Sequence, residues 1–168
     1  MSTTTLLLLR HGIAEEPREG LDDADRALTE RGRQRTRLVL ERLLALGCRA
    51  DRLLCSPLRR ARQTAEIAVA TGWAPQLSID DALAPAGEPL ACLPAWIQVA
   101  ADCSPHPLRL ALVGHEPDLS ALAAQLIGAP AGALGLRKAG LLELALPTSF
   151  PQGHAVLQAL LRPGLLLE

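Results

Sequence analysis

The chain has 168 residues and 17.8 kDa, the length of one domain, and its 49% apolar composition supplies a self-sufficient core without metal or disulfide staples. Seventeen Lys and Arg against 18 Asp and Glu leave a net charge of −1, and only Trp73, Trp96 and Phe150 are aromatic, so neither a global field nor a base-stacking platform for nucleic acid exists. Cys48, Cys55, Cys92 and Cys103 form no C-x-x-C pair and read as free buried thiols, the run Leu6 to Leu9 is too short for a signal-peptide core, and nothing approaches the ~20 apolar residues of a membrane span; a cytoplasmic protein without membrane contact is expected.

In chain order, Thr5 to Leu9 is a continuous apolar run of strand length, suited to burial on both faces, and it ends abruptly at Arg10-His11-Gly12. Residues 13–27 carry mixed charge with Pro17 and Gly20 and no period, which predicts a long loop with a functional role or mobility. Thr29 caps a predicted helix to about Leu46, with Leu40, Leu43 and Leu44 toward the core and Gly47 as its stop. Arg52 to Cys55 is a second strand, and Ser56-Pro57 predicts a helix start with Ser as the cap, the helix lasting until Gly72. Gln76 to Ile79 is a third strand, followed by a broken loop and an apolar helix around 89–101 that Pro94 kinks or shortens. Leu108 to Val113 is a buried strand ending in Gly114-His115-Glu116-Pro117, and Pro117 opens a helix that Gly128 closes. Leu141 to Leu146 and Ala155 to Leu161 are the last strands. Strands alternating with helices predict an α/β fold, one domain over 1–168 built as a three-layer α/β/α sandwich around a mostly parallel sheet.

Ligands of open α/β sheets bind beyond the carboxyl ends of the strands. Those ends deliver Arg10 and His11 from the first strand, Ser56 and the helix bearing Arg60 from the second, and His115 from the fourth. Two histidines and two arginines, with no carboxylate between them in these turns, describe a pocket for a compact anion, for which phosphoryl is the best candidate. Helical period separates the arginines: positions 57, 60, 61, 64, 65 and 68 share one face and read Pro, Arg, Ala, Thr, Ala, Ala, whereas 59, 62, 63 and 66 form a wet face. Arg60 therefore points toward the strand ends, and Arg59 and Arg62 toward solvent. A lone histidine after a buried strand serves structure as readily as catalysis. Neighbouring cations lower the pKa of His11 and keep it in the neutral form that can attack phosphorus. His115 is either a second nucleophile or an oxygen-binding donor. His106 and His154 read as exposed, no two histidines have metal-ligand spacing on one helix, and no metal or other cofactor is expected. Arg31, Arg33, Arg35 and Arg37 scatter round their helix as a solvated face.

These residues resemble the histidine phosphatase superfamily. Leu8-Leu9-Arg10-His11-Gly12 is joined in order by Leu28-Thr29-Glu30-Arg31-Gly32, by the run from Ser56 to Thr64, and by Val113-Gly114-His115-Glu116-Pro117, a match extending from residue 5 to about 128. The short form is most similar to the SixA-type phosphohistidine phosphatases. The resemblance implies that His11 is the nucleophile that becomes phosphorylated and that Arg10, Arg60 and His115 clamp the phosphoryl oxygens, with Gly12 and Ser56 in the binding site. Many relatives that cleave phosphate esters carry a Glu a few residues after the position of Leu83, where Leu83-Ala84-Pro85-Ala86-Gly87 has none; Glu88 and Glu15 are the candidate acids. The missing acid favours phosphohistidine on a protein as substrate over a small phosphorylated metabolite, because an alkoxide needs a proton more than a leaving imidazole does. A non-catalytic phosphate-binding module is the remaining alternative, and no oligomeric state is implied.

Overall fold

The computed structural model describes residues 4–103 and 107–168; His106 lies outside the described residues. One six-stranded sheet organises them, built from β1 (Thr5–Arg10), β2 (Arg52–Cys55), β3 (Leu77–Ile79), β4 (Arg109–Gly114), β5 (Leu141–Ala145) and β6 (Val156–Leu161), in the order β3-β2-β4-β1-β5-β6. The first four positions in that order are parallel and the β5 and β6 pairings antiparallel, so the mostly parallel expectation holds with an antiparallel edge.

The apolar runs become central strands because both faces of the sheet are covered. Leu7 and Leu9 point to one face, with Ala111, Val113 and Leu53, against α1 (Glu30–Ala45), α2 (Arg59–Ala70) and α5 (Pro163–Leu166). Leu6 and Leu8 point to the other, with Leu110 and Leu112, against α3 (Pro89–Ala101) and α4 (Asp118–Ile127). A one-residue shift of β1 would exchange these sets, but with leucine at all four positions the register is held by neighbouring strands rather than by a polar face. Each of these buried leucines contributes about 1.5–3 kcal/mol of transfer free energy. On α2 the buried residues are Arg60, Ala61, Thr64, Ala65, Ile67 and Ala68, and the three alanines are small enough to bring the helix close to the sheet.

The predicted stops are present: Thr29 Oγ1 accepts the Gly32 N–H at the start of α1, and Gly47, Gly72 and Gly128 have positive φ just beyond α1, α2 and α4. Pro94 sits inside α3 without ending it. Two local expectations need correction. The second helix begins at Arg59, not at Ser56, since Ser56 Oγ is engaged elsewhere; it accepts a 3.3 Å bond from the Leu58 N–H but provides no cap for the helix. Of the four free cysteines only Cys55 is buried, Cys48 and Cys92 being half-buried and Cys103 exposed. Burial pushes the Cys55 thiol up to about 11, which removes it as a nucleophile. Among the described residues no helix is long and apolar enough to cross a membrane.

Register sets the site. Cys55, Val113 and Leu9 lie in one row across β2, β4 and β1, so Ser56, Gly114-His115 and Arg10-His11 leave the sheet together at its carboxyl end.

Candidate active site

His11 is 6% exposed and held at both ring nitrogens. Nδ1 lies 2.7 Å from the Gly12 carbonyl, an acceptor only, so this nitrogen carries the proton. Nε2 then has the free lone pair, and it accepts a 3.3 Å bond from Arg60 Nε. Burial is the main cause that pushes the His11 pKa down to about 3; the Gly12 bond opposes it, and His115, Arg60 and Arg10 lower it further. The neutrality inferred from neighbouring cations is therefore present, with desolvation as its larger source. His115 is pushed down to about 4, first by burial and next by Arg60, against an opposing effect of Asp23.

Two glycines let the backbone carry this geometry. A Cβ on Gly12 would collide with Thr36 Oγ1, and one on Gly32, in the first turn of α1, would collide with the Ile13 carbonyl. The turn after His11 thus rests directly on the start of α1. The Gly12 N–H donates to Thr64 Oγ1 at 3.1 Å, and that hydroxyl donates to the Arg60 carbonyl at 2.8 Å, linking the turn to the α2 face that bears Arg60.

The structure brings Arg10, His11, Gly12, Ser56, Arg60 and His115 together. The two imidazoles have centroids 5.2 Å apart, and His115 Nε2 and Ser56 Oγ share a 2.7 Å hydrogen bond. Arg60 is 5% exposed, whereas Arg59 and Arg62 face solvent as the helical period predicts. Arg10 Nη1 donates to the Leu136 carbonyl at 2.8 Å, while Arg10 Nε and His115 Nδ1 are buried without a hydrogen-bond partner among the described residues. Burial lowers the Arg10 pKa from its ordinary value, opposed by the Glu116 carboxylate.

Neither candidate acid forms a hydrogen bond to this group. Glu15 is committed to the loop that follows His11: its carboxylate accepts the Ala27 N–H at 2.9 Å, and its main-chain carbonyl accepts Arg26 Nε at 2.7 Å. Glu88 is exposed at the start of α3, beside a groove that also includes Asp118 and Gln125. His154 is exposed, as expected.

Asp23 joins this group although no motif in the sequence marks it. It lies in a 3-10 turn (Asp23–Asp25) of the 13–27 loop, which is closed by a bridge between Ala14 and Leu28. Its carbonyl accepts Arg60 Nη1 at 2.6 Å and its carboxylate accepts Arg60 Nη2 at 2.9 Å. The same carboxylate takes Arg26, whose hydrogen bond is the largest influence holding Asp23 below the usual carboxylate range. The sequence signal, an acidic run at residues 22–25 in an irregular loop, does not specify a contact 37 positions away. With Asp23 on the outer edge of Arg60, an anion approaching that guanidinium would meet a carboxylate already bonded to it. Asp23→Asn retains the main-chain contact and removes the charge, and it should tighten inorganic phosphate binding by about three- to tenfold, as loss of one partly exposed like charge implies. Titration calorimetry at low salt checks this; weaker binding in the variant would show that Asp23 chiefly orients Arg60.

The model of the histidine phosphatase superfamily (branch 1) matches residues 6–85. An uncharacterized protein of Picosynechococcus sp. is 40% identical over 153 residues, covering 89% of each chain. The structure of the protein histidine phosphatase SixA complexed with tungstate superposes with a TM-score of 0.81 at 22% identity, over 97% of this chain and 99% of that one. A mycobacterial glucosyl-3-phosphoglycerate phosphatase gives a TM-score of 0.70 at 21% identity, over 93% and 97%. At these identities the two structural similarities concern the fold.

Proposed function

We propose that the chain, which belongs to the histidine phosphatase superfamily and is a phosphatase of it, hydrolyses phosphohistidine on a protein through a phosphorylated His11. The observation that carries this reading is the tautomer of His11: the Gly12 carbonyl fixes the proton on Nδ1, and Nε2 presents its lone pair beside Arg60.

His11 Nε2 attacks phosphorus, forming an N–P bond as the P–N bond of the substrate breaks. The departing imidazole leaves with that electron pair and takes a proton from solvent. Water then attacks the phosphoenzyme from the vacated side, releasing inorganic phosphate and returning neutral His11. Arg10, Arg60 and His115 neutralise and orient the phosphoryl oxygens, which is most of what phosphoryl transfer asks of a protein. Two guanidiniums supply the positive charge that a metal ion supplies elsewhere, and the proposed reaction is metal-independent.

The substrate preference follows from the acid. Glu15 is tied to Ala27, and Glu88 is exposed with no bond to the clamp, so an alkoxide would depart without an engaged proton donor. General acid catalysis is worth about 10²–10⁴-fold, so kcat/KM on a phosphohistidine protein should exceed that on an alkyl phosphate monoester by about 100-fold or more. Parallel phosphate-release assays test this, and faster ester turnover would overturn the assignment in favour of a small phosphorylated metabolite.

A further inference from the structure

We propose that a cleft between α1, the turn entering β5, and α5 is a second anion site, which receives acidic side chains flanking the phosphorylated residue of a protein substrate. This rests on the reading of that substrate as a protein. The cleft encloses about 330 Å³ and is lined by Arg35, Arg137, Lys138 and Arg162, with Glu168 as its one carboxylate residue. Four of the chain's 17 basic residues thus face one space in a molecule whose net charge is −1. Among the described residues none of the four is in an ion pair within 4 Å, whereas Arg26, Arg60 and Arg109 all are. Like charges gathered without partners repel one another, and an anion offsets that repulsion.

The cleft shares a wall with the phosphoryl clamp. Arg10 Nη1 binds the Leu136 carbonyl, and the Ala139 N–H donates to the carbonyls of Arg10 and His11 at 3.1 Å, so Arg137 and Lys138 sit on a segment fastened at both ends to the nucleophile strand. Arg137 is also near enough to Arg10 to lower its pKa. An anion in the cleft would therefore be bound beside the reacting group as part of the same substrate. Three of the four cations are arginines, whose planar forks match carboxylates in pairs, and no aromatic side chain lines the cleft to stack a base; glutamate- or aspartate-rich peptide is the occupant these features select.

The test uses the double variant Arg35→Gln/Arg162→Gln, which leaves Arg10 and Arg137 untouched, with Arg162→Gln alone as a second variant at an exposed position. A fluorescent hexaglutamate peptide without phosphate should bind the wild-type chain, bind the double variant about tenfold more weakly, and dissociate with added salt. KM for a phosphohistidine peptide with glutamate flanks should rise about tenfold in the double variant, with kcat unchanged and with turnover of a small phosphoramidate unchanged. Equal hexaglutamate binding by wild type and variants, or equal KM for glutamate- and glutamine-flanked peptides on the wild type, would overturn the proposal. Arginine-dependent hexaglutamate binding by a protein that turns over no phosphohistidine would support the cleft while overturning the substrate reading.

Discussion

Replacing His11 with alanine is expected to lower phosphohistidine turnover by roughly four orders of magnitude or more, the scale of losing a covalent nucleophile, while leaving inorganic phosphate binding within a few fold. Two observations set this apart from the cost of losing any buried polar group. His11 Nε2 has its lone pair directed at Arg60 rather than committed to a main-chain donor, and its proton is on the opposite nitrogen. The variant keeps Arg10 and Arg60, so the proposed anion clamp would survive the loss of the proposed attacking atom. Quenched-flow trapping should find acid-labile phosphate on the wild-type protein and none on the variant; retained turnover would sink the covalent mechanism. The pKa shifts add a pH signature. With His11 lowered to about 3 and His115 to about 4, both rings are neutral at pH 7, and the imidazole-dependent loss of kcat begins only as the pH approaches those values. Stability behaves differently. Below the ordinary histidine pKa of 6.5 the unfolded chain binds protons that the folded chain does not, so folding weakens as pH falls from 6.5 through 4 and 3. His11→Ala removes one such group and should lose less stability over that window, measured as denaturant midpoints at pH 7 and ~4.5.

What the sequence made legible was what local physics decides. Continuous apolar runs become strands covered on both faces, glycines with positive φ end helices, and the 3.6-residue period distinguishes buried Arg60 from exposed Arg59 because the small residues Ala61, Thr64, Ala65 and Ala68 share its face. Contacts across long loops were not legible. The bonds that Arg60 donates to Asp23 and Arg10 donates to Leu136 join segments 37 and 126 residues apart, and their acceptors are a loop carboxylate and two main-chain carbonyls that no motif marks. Ser56 shows a third kind of limit. Ser before Pro is a sound capping signal, yet its hydroxyl pairs with His115 and the helix starts three residues later, so a site interaction overrode a local preference.

Arg60→Lys should reduce kcat/KM by about 10²–10³-fold even though it preserves the charge, because the guanidinium works at all three of its nitrogens. Nε donates to His11 Nε2, Nη1 to the Asp23 carbonyl and Nη2 to the Asp23 carboxylate. In the proposed mechanism substrate binding redirects part of this fork to phosphoryl oxygens while the remainder stays fixed by the loop, and an ammonium on a flexible stem cannot hold two fixed directions at once. The loss should fall mainly on kcat, since an equal charge sustains much of the ground-state attraction whereas transition-state alignment is gone. Arg59→Lys supplies the contrast: Arg59 is one residue away, exposed, and makes only a 3.4 Å contact to the Asp25 carbonyl, so its activity should stay within about twofold of wild type, as expected of a solvated side chain. Steady-state kinetics of both variants, with melting temperatures as a control for folding, decide the matter. A large loss at Arg59 with little at Arg60 would mean that the anion is held from the outer face of α2, and the assignment of the clamp would fail with it.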